Sequence, residues 1–129
     1  MGKVSVQCSQ APAAIGPYSQ AIRAGSFVFL SGQLPLDPAT GQVVGTTAAE
    51  QAQQALRNLS AILLSQGMSM DNVVKTTVFL QDLGDFAAVN EVYAGFVGSV
   101  PPARSAVAVK ALPKGALVEI EAIAAESQS

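Results

Sequence analysis

The spacing of hydrophobic positions along this chain changes period several times, and each change marks an element. Val4 to Val6 reads as a short strand. Ala11 to Pro17, which contains Pro12, Gly16 and Pro17, interrupts the pattern as a loop, and Tyr18 follows directly. Ser19 to Arg23 and Phe27 to Ser31 then read as strands around Ala24-Gly25-Ser26, a tight turn in which Gly25 supplies a positive φ. Phe27-Val28-Phe29-Leu30 is a continuous apolar run of the kind found in central strands. It ends at Ser31-Gly32, where glycine admits the close approach of another group. Pro35 to Gly41 breaks the sheet.

A helical period takes over from Thr46 to Gln66. Ala52, Ala55, Leu56, Leu59, Ile62 and Leu63 form one stripe, Thr47 with Glu50 matches a capping box, and Gly67 supplies the stop. The opposite face is polar and meets water. In Val73 to Leu80 the alternation of Val74, Thr76, Val78 and Leu80 with Val73, Lys75, Thr77 and Phe79 predicts a strand. Asp82 to Val97 reads as a second helix, with Asp82 or Asp85 near its start and Phe86, Val89, Tyr93 and Phe96 on one stripe. Asn90 borders that stripe, which leaves two readings open: an amide bonded to solvent or a neighbouring carbonyl, or a functional amide.

Pro101 to Ala124 carries ionisable residues inside strand patterns. Val118, Ile120 and Ala122 alternate with Glu119 and Glu121, so the carboxylates share one face of a strand whose other face is apolar. Arg104 follows a double proline and shares its face with Ala106 and Ala108, which leaves open space around the guanidinium. Were the two runs a hairpin about Pro113-Lys114, Arg104 would lie roughly 13 Å along the strand from the partner of Glu119. They would not then share a small substrate. Either the runs are not hairpin partners or the two residues meet through different subunits, and the second is the preferred reading.

The sum is a single α+β domain over residues 1–129, a mixed six-stranded sheet with two helices on one face. Strand positions on both faces are apolar, so the uncovered face is expected to lie against sister subunits. With 129 residues, half of them apolar, the chain can build a real core. Only 12% of residues are charged, the net charge is -2, and the seven Lys and Arg are scattered, which argues against nucleic acid. There is no histidine, and Cys8 is the sole cysteine. That removes His-based triads and nearly all zinc sites, leaving carboxylate, guanidinium, phenol and hydroxyl chemistry. Nothing demands an oxidising compartment, and no stretch approaches the roughly 18 apolar residues of a membrane span, so a cytoplasmic location is expected.

Five segments, in order, resemble the RidA/YjgF family of reactive-intermediate deaminases: Ala-Ile-Gly-Pro-Tyr-Ser-Gln at 14–20, Ser-Gly-Gln-Leu-Pro at 31–35, Val-Lys-Thr-Thr-Val-Phe-Leu at 74–80, Asp-Phe-Ala-Ala-Val-Asn at 85–90, and the C-terminal Pro-Pro-Ala-Arg-Ser with Leu-Pro-Lys-Gly-Ala-Leu-Val-Glu-Ile-Glu-Ala-Ile-Ala. The resemblance implies a chorismate-mutase-like fold and a homotrimer with sites in the clefts between subunits. It also implies hydrolysis of 2-imino and 2-enamino acids, released by pyridoxal-phosphate dehydratases, to 2-keto acids and ammonia, with no cofactor and no metal. Arg104 then matches the arginine that grips the substrate carboxylate, and Glu119 the carboxylate that activates water; Glu121 is its neighbour. Tyr18 falls at the rim of the site, Ser31 and the Gly32 backbone line it, and Asn90 matches a site amide. Ala106 stands where some members carry cysteine, so a thiol role there is absent. Two other classes of function stay open: a binding protein for small 2-keto or amino acids, and a nuclease or chaperone, the nuclease disfavoured by charge.

Overall fold

The computed structural model describes residues 2–127. Its elements are β1 Val4–Val6, β2 Ala21–Ala24, β3 Phe27–Gln33, α1 Ala48–Ser65, β4 Val73–Leu80, α2 Phe86–Ala94, β5 Ala103–Ala108 and β6 Val118–Ala125, with 3-10 turns at Met70–Asn72, Leu83–Asp85 and Pro113–Gly115. The strands form one sheet in the order β1-β2-β3-β6-β4-β5. All neighbours are antiparallel except β4 and β5, which run parallel. Both helices lie on one face, and this α+β architecture is the one expected.

The final two runs are not a hairpin. β4 is inserted between β5 and β6, so each of them pairs with β4 instead of with the other. Of the two alternatives left by the spacing of Arg104 and Glu119, the one set aside is therefore true of the protomer, and it leaves the subunit reading open.

Local chemistry explains the helices. The Thr47 hydroxyl accepts from the Glu50 amide at 3.2 Å, and the Glu50 carboxylate accepts from the Thr47 amide at 3.1 Å, the reciprocal capping box. α1 presents Ala52, Ala55, Leu56, Leu59, Ile62 and Leu63 to the sheet, all fully buried, against Val28, Val118, Ile120 and Ala124. Each large aliphatic among them contributes about 1.5–3 kcal/mol of burial. α2 is shorter than its stripe suggested. Asp82 caps a 3-10 turn through the Gly84 amide at 2.8 Å, while Asp85 makes no capping bond, so the α-helix proper starts at Phe86 and ends at Ala94.

Two polar side chains of α1 are buried and tie the sheet's loops to it. Asn58 Nδ2 donates to the carbonyls of Leu34 and Leu36 at 3.1 and 3.0 Å. Gln51 donates to the Gly45 carbonyl and accepts from the Leu117 amide. The expectation of a wholly solvated polar face on α1 is thus corrected at Gln51 and Asn58, because the loops after β3 and before β6 need partners for their backbone groups. On the face opposite the helices, Phe27, Phe29, Val74 and Val107 are exposed. Among the described residues no helix is long and apolar enough to cross a membrane.

Candidate active site

β6 alternates strictly: Val118, Ile120, Ala122 and Ala124 are buried under the helices, and Glu119 and Glu121 project from the open face. Across the ladder Glu119 stands opposite Phe79 and Glu121 opposite Thr77. On its other side β6 meets β3, and here the register slips. Leu30 pairs with Ala122 and Gln33 with Ile120, so β3 spends one more residue than β6 over the same span, a bulge at Ser31-Gly32. The Glu119 carboxylate fills the space this creates. A Cβ added at Gly32 would collide with its Oε2 and lie 3.0 Å from its Cδ, so this close approach requires glycine.

Glu119 is half-buried, and its pKa is raised above the usual 4.5, first by desolvation and then by the charge of Glu121. A carboxylate so placed is a stronger base than a free one.

Ser31 braces the bulge. Its hydroxyl donates to the Ser19 carbonyl at 2.6 Å and its amide to the Gln20 carbonyl at 2.9 Å, so its hydroxyl proton is committed to the fold. Gln20 is a residue that pattern reading missed. Its buried amide accepts from the Cys8 N–H at 2.6 Å and donates to the carbonyls of Cys8, Ala11 and Pro12. One side chain thereby ties down the irregular segment that carries Tyr18. A shallow cleft of about 50 Å³ lies between Ala13, Tyr18, Gly32 and Leu34. Tyr18, Ser31, Gly32 and Glu119 are thus gathered at one end of β3 and β6.

Arg104 and Asn90 form a second group elsewhere. Arg104 lies on edge strand β5, opposite the buried Thr76, and its side chain emerges beside α2 on the helix-covered face. Its Nη1 donates to Asn90 Oδ1 at 2.7 Å. Its guanidinium carbon lies 5.1 Å from the Phe86 ring centre and 5.0 Å from that of Tyr93, both within cation–π range. The Tyr93 hydroxyl is 2.6 Å from Thr76 Oγ1 in the interior. An open cleft of about 360 Å³ runs from Asn90 and Arg104 past Val97 to Pro101 and Pro102.

The six expected residues therefore fall into two half-sites. Within one protomer Arg104 is two strands and three register positions from Glu119, about 14 Å between backbones, with the side chains on opposite faces. Neither half alone can both grip and hydrolyse a small molecule. Among the described residues no three His, Cys, Asp or Glu side chains converge to hold a metal.

Residues 8–126 match the profile of the family described as Endoribonuclease L-PSP. The chain belongs to this RidA/YjgF/RutC family. It is 56% identical over 118 residues to the RutC family protein y4sK of Sinorhizobium fredii, covering 92% of this chain and 94% of the relative. It is 50% identical over 121 residues to the 2-iminobutanoate/2-iminopropanoate deaminase of Mus musculus, covering 94% and 90%. Among solved structures, the Rid-family protein YyfA of Yersinia pestis superposes with a TM-score of 0.94 at 46% identity, over 97% of this chain and all of that one. E. coli TdcF with bound serine gives 0.91 at 44% identity, over 96% and 99%. RidA/YjgF/RutC membership thus accounts for the five sequence segments and for the sheet with two helices on one face.

Proposed function

We propose that the chain hydrolyses reactive 2-imino and 2-enamino acids to 2-keto acids and ammonia, at sites shared between subunits of a homotrimer. The observation that carries this reading is the Arg104 guanidinium: it is exposed, held by Asn90, and has only one hydrogen bond among the described residues. The rest of its five-donor fork suits a bidentate grip on a carboxylate. Relatives at about half identity bearing the deaminase name support the substrate class.

In the mechanism, Arg104 of one subunit holds the carboxylate of the protonated imine, with Asn90 fixing the fork. Glu119 of the next subunit, basic because it is half-buried beside Glu121, accepts a proton as the oxygen of water bonds to C2 and the C2=N π pair moves to nitrogen. Glu119 then returns the proton to nitrogen. The C2–N bond breaks with its electron pair leaving on ammonia, the hydroxyl oxygen closes to the carbonyl, and its proton passes to ammonia or solvent. Tyr18, at the rim, bonds substrate or water. Imines hydrolyse unaided, so positioning alone supplies much of what the reaction needs.

Trimer assembly is supported by the separation of the half-sites and by the open sheet face, where Phe27, Phe29, Val74 and Val107 await cover. A second reading, binding of small 2-keto or amino acids without turnover, is favoured by the relative crystallised with bound serine. A net charge of -2 and scattered cations give no support to a nuclease.

The test couples purified protein to a serine or threonine dehydratase and follows 2-keto acid release in the absence of amine scavengers. Acceleration that Arg104→Ala abolishes supports deamination. Binding of 2-oxobutanoate without any acceleration would favour the second reading.

A further inference from the structure

The geometry points to Tyr93 as a positioning residue for Arg104: its ring, pinned by Thr76, holds the guanidinium so that its free N–H groups face the cleft. The inference deepens the reading in which Arg104 grips a carboxylate, and rests on it for its consequence in binding.

Thr76 is the odd residue on its strand. The other helix-facing positions of β4 are Val73, Val78 and Leu80, and Thr76 is as buried as they are. A hydroxyl there is costly without a partner. Its partner is the Tyr93 hydroxyl at 2.6 Å, itself on a residue only 4% exposed. The pair fixes the ring at its inner end, while the ring face lies 5.0 Å from the guanidinium carbon of Arg104, the residue directly opposite Thr76 in the parallel ladder. Strand register, buried hydroxyl pair and aromatic platform thus converge on one cation.

An exposed arginine samples many rotamers, and a ligand that it grips must freeze them. Here Phe86 and Tyr93 restrict the guanidinium beforehand, and Asn90 sets its rotation. The Tyr93 hydroxyl points into the protein, so its effect on a ligand carboxylate runs through Arg104. Binding gains because ordering precedes it.

The experiment uses the full chain labelled with 15N. The order parameter of the Arg104 Nε–Hε bond is measured without ligand, and 2-oxobutanoate is titrated calorimetrically as the carboxylate probe. The variants are Tyr93→Leu, which removes the platform, Thr76→Val, which removes its pin, and Thr76→Ser, which restores the hydroxyl. Wild type and Thr76→Ser should show an ordered guanidinium. Tyr93→Leu and Thr76→Val should lower the order parameter, weaken 2-oxobutanoate about tenfold and raise KM by a similar factor with kcat little changed. In an Arg104→Ala background, Tyr93→Leu should weaken binding no further. An unchanged order parameter in the folded variants overturns the inference, and so does an equal loss of affinity when Arg104 is already absent. Should Tyr93→Leu fail to fold, the Thr76→Val and Thr76→Ser pair decides by the same criteria. Lower order with unchanged affinity upholds the positioning and contradicts the carboxylate grip.

Discussion

Arg104 and Glu119 project from opposite faces of the same sheet. Arg104 sits across from the buried Thr76 and leans on α2, whereas Glu119 sits across from Phe79 on the face without helices. A molecule small enough to be gripped by one is out of reach of the other in the same protomer. In the proposed site the two chemistries combine where the edge of one subunit meets the open face of another, which makes that proposal inseparable from assembly.

Gly32 is the position where the backbone yields to the Glu119 carboxylate. Gly32→Ala places a Cβ against the Glu119 side chain. The variant should change stability little, because the carboxylate end of a flexible side chain can swing away, and lose about 100-fold in kcat from a displaced base. Thermal melts beside the coupled assay check both.

Glu119 also links stability and activity to pH. A carboxyl whose pKa is raised in the fold holds its proton more tightly folded than unfolded. Its contribution to stability is full below the unfolded value near 4.5 and is lost as pH rises through the folded value. At pH 7 the charged side chain is thus a cost, and Glu119→Gln should melt higher than wild type while being inactive. Glu121→Gln removes the neighbouring charge, so the acid limb of the pH–rate profile should move to lower pH. A profile unchanged in Glu121→Gln would contradict the coupling.

Gln20→Ala removes the amide that serves Cys8, Ala11 and Pro12. Leaving these groups without partners should cost about 2–3 kcal/mol. Hydrogen exchange should show the Cys8 amide losing protection before the strands of the sheet do. Equal loss everywhere would mean that Gln20 serves the fold as a whole and not this segment.

Thr47→Ala breaks the capping box of α1 and should cost about 1 kcal/mol, a fall in Tm of about 4 °C. Thr47 makes no hydrogen bond to any of the six expected site residues, so activity at 25 °C should change little.

Much of this was legible in the sequence, for identifiable reasons. Period alone marks α1 and the span of β4, and Thr47 with Glu50 marks the cap, but a bulge between Val73 and Lys75 puts Val73, and not the expected Val74, on the buried face with Thr76, Val78 and Leu80. Gly25, at φ 59, turns β2 into β3, and the alternation around Glu119 puts both carboxylates on the face away from Val118 and Ile120. Gly32 could be read as a place of close approach, though not what approaches it. Other features depend on partners distant in the chain. Alternation says that Arg104, Ala106 and Ala108 share a face, but only the insertion of β4 between β5 and β6 decides that it is the helix face. Tyr93 reads as one member of an apolar stripe, because nothing local shows that its hydroxyl meets Thr76 or its ring the guanidinium. β3 runs on to Gln33, beyond the expected Ser31, because the bulge keeps it paired with β6, and a bulge leaves no mark in a single sequence.

The central claim, that Arg104 and Glu119 act together from different subunits, is tested most directly by complementation. Arg104→Ala and Glu119→Gln chains, each inactive alone, are unfolded together in equal amounts and refolded into mixed oligomers. In a cyclic trimer with random mixing, about a quarter of the sites should join an intact Arg104 to an intact Glu119 and recover about a quarter of wild-type activity. Mixed oligomers that form, as shown by mass, and stay inactive would contradict the account.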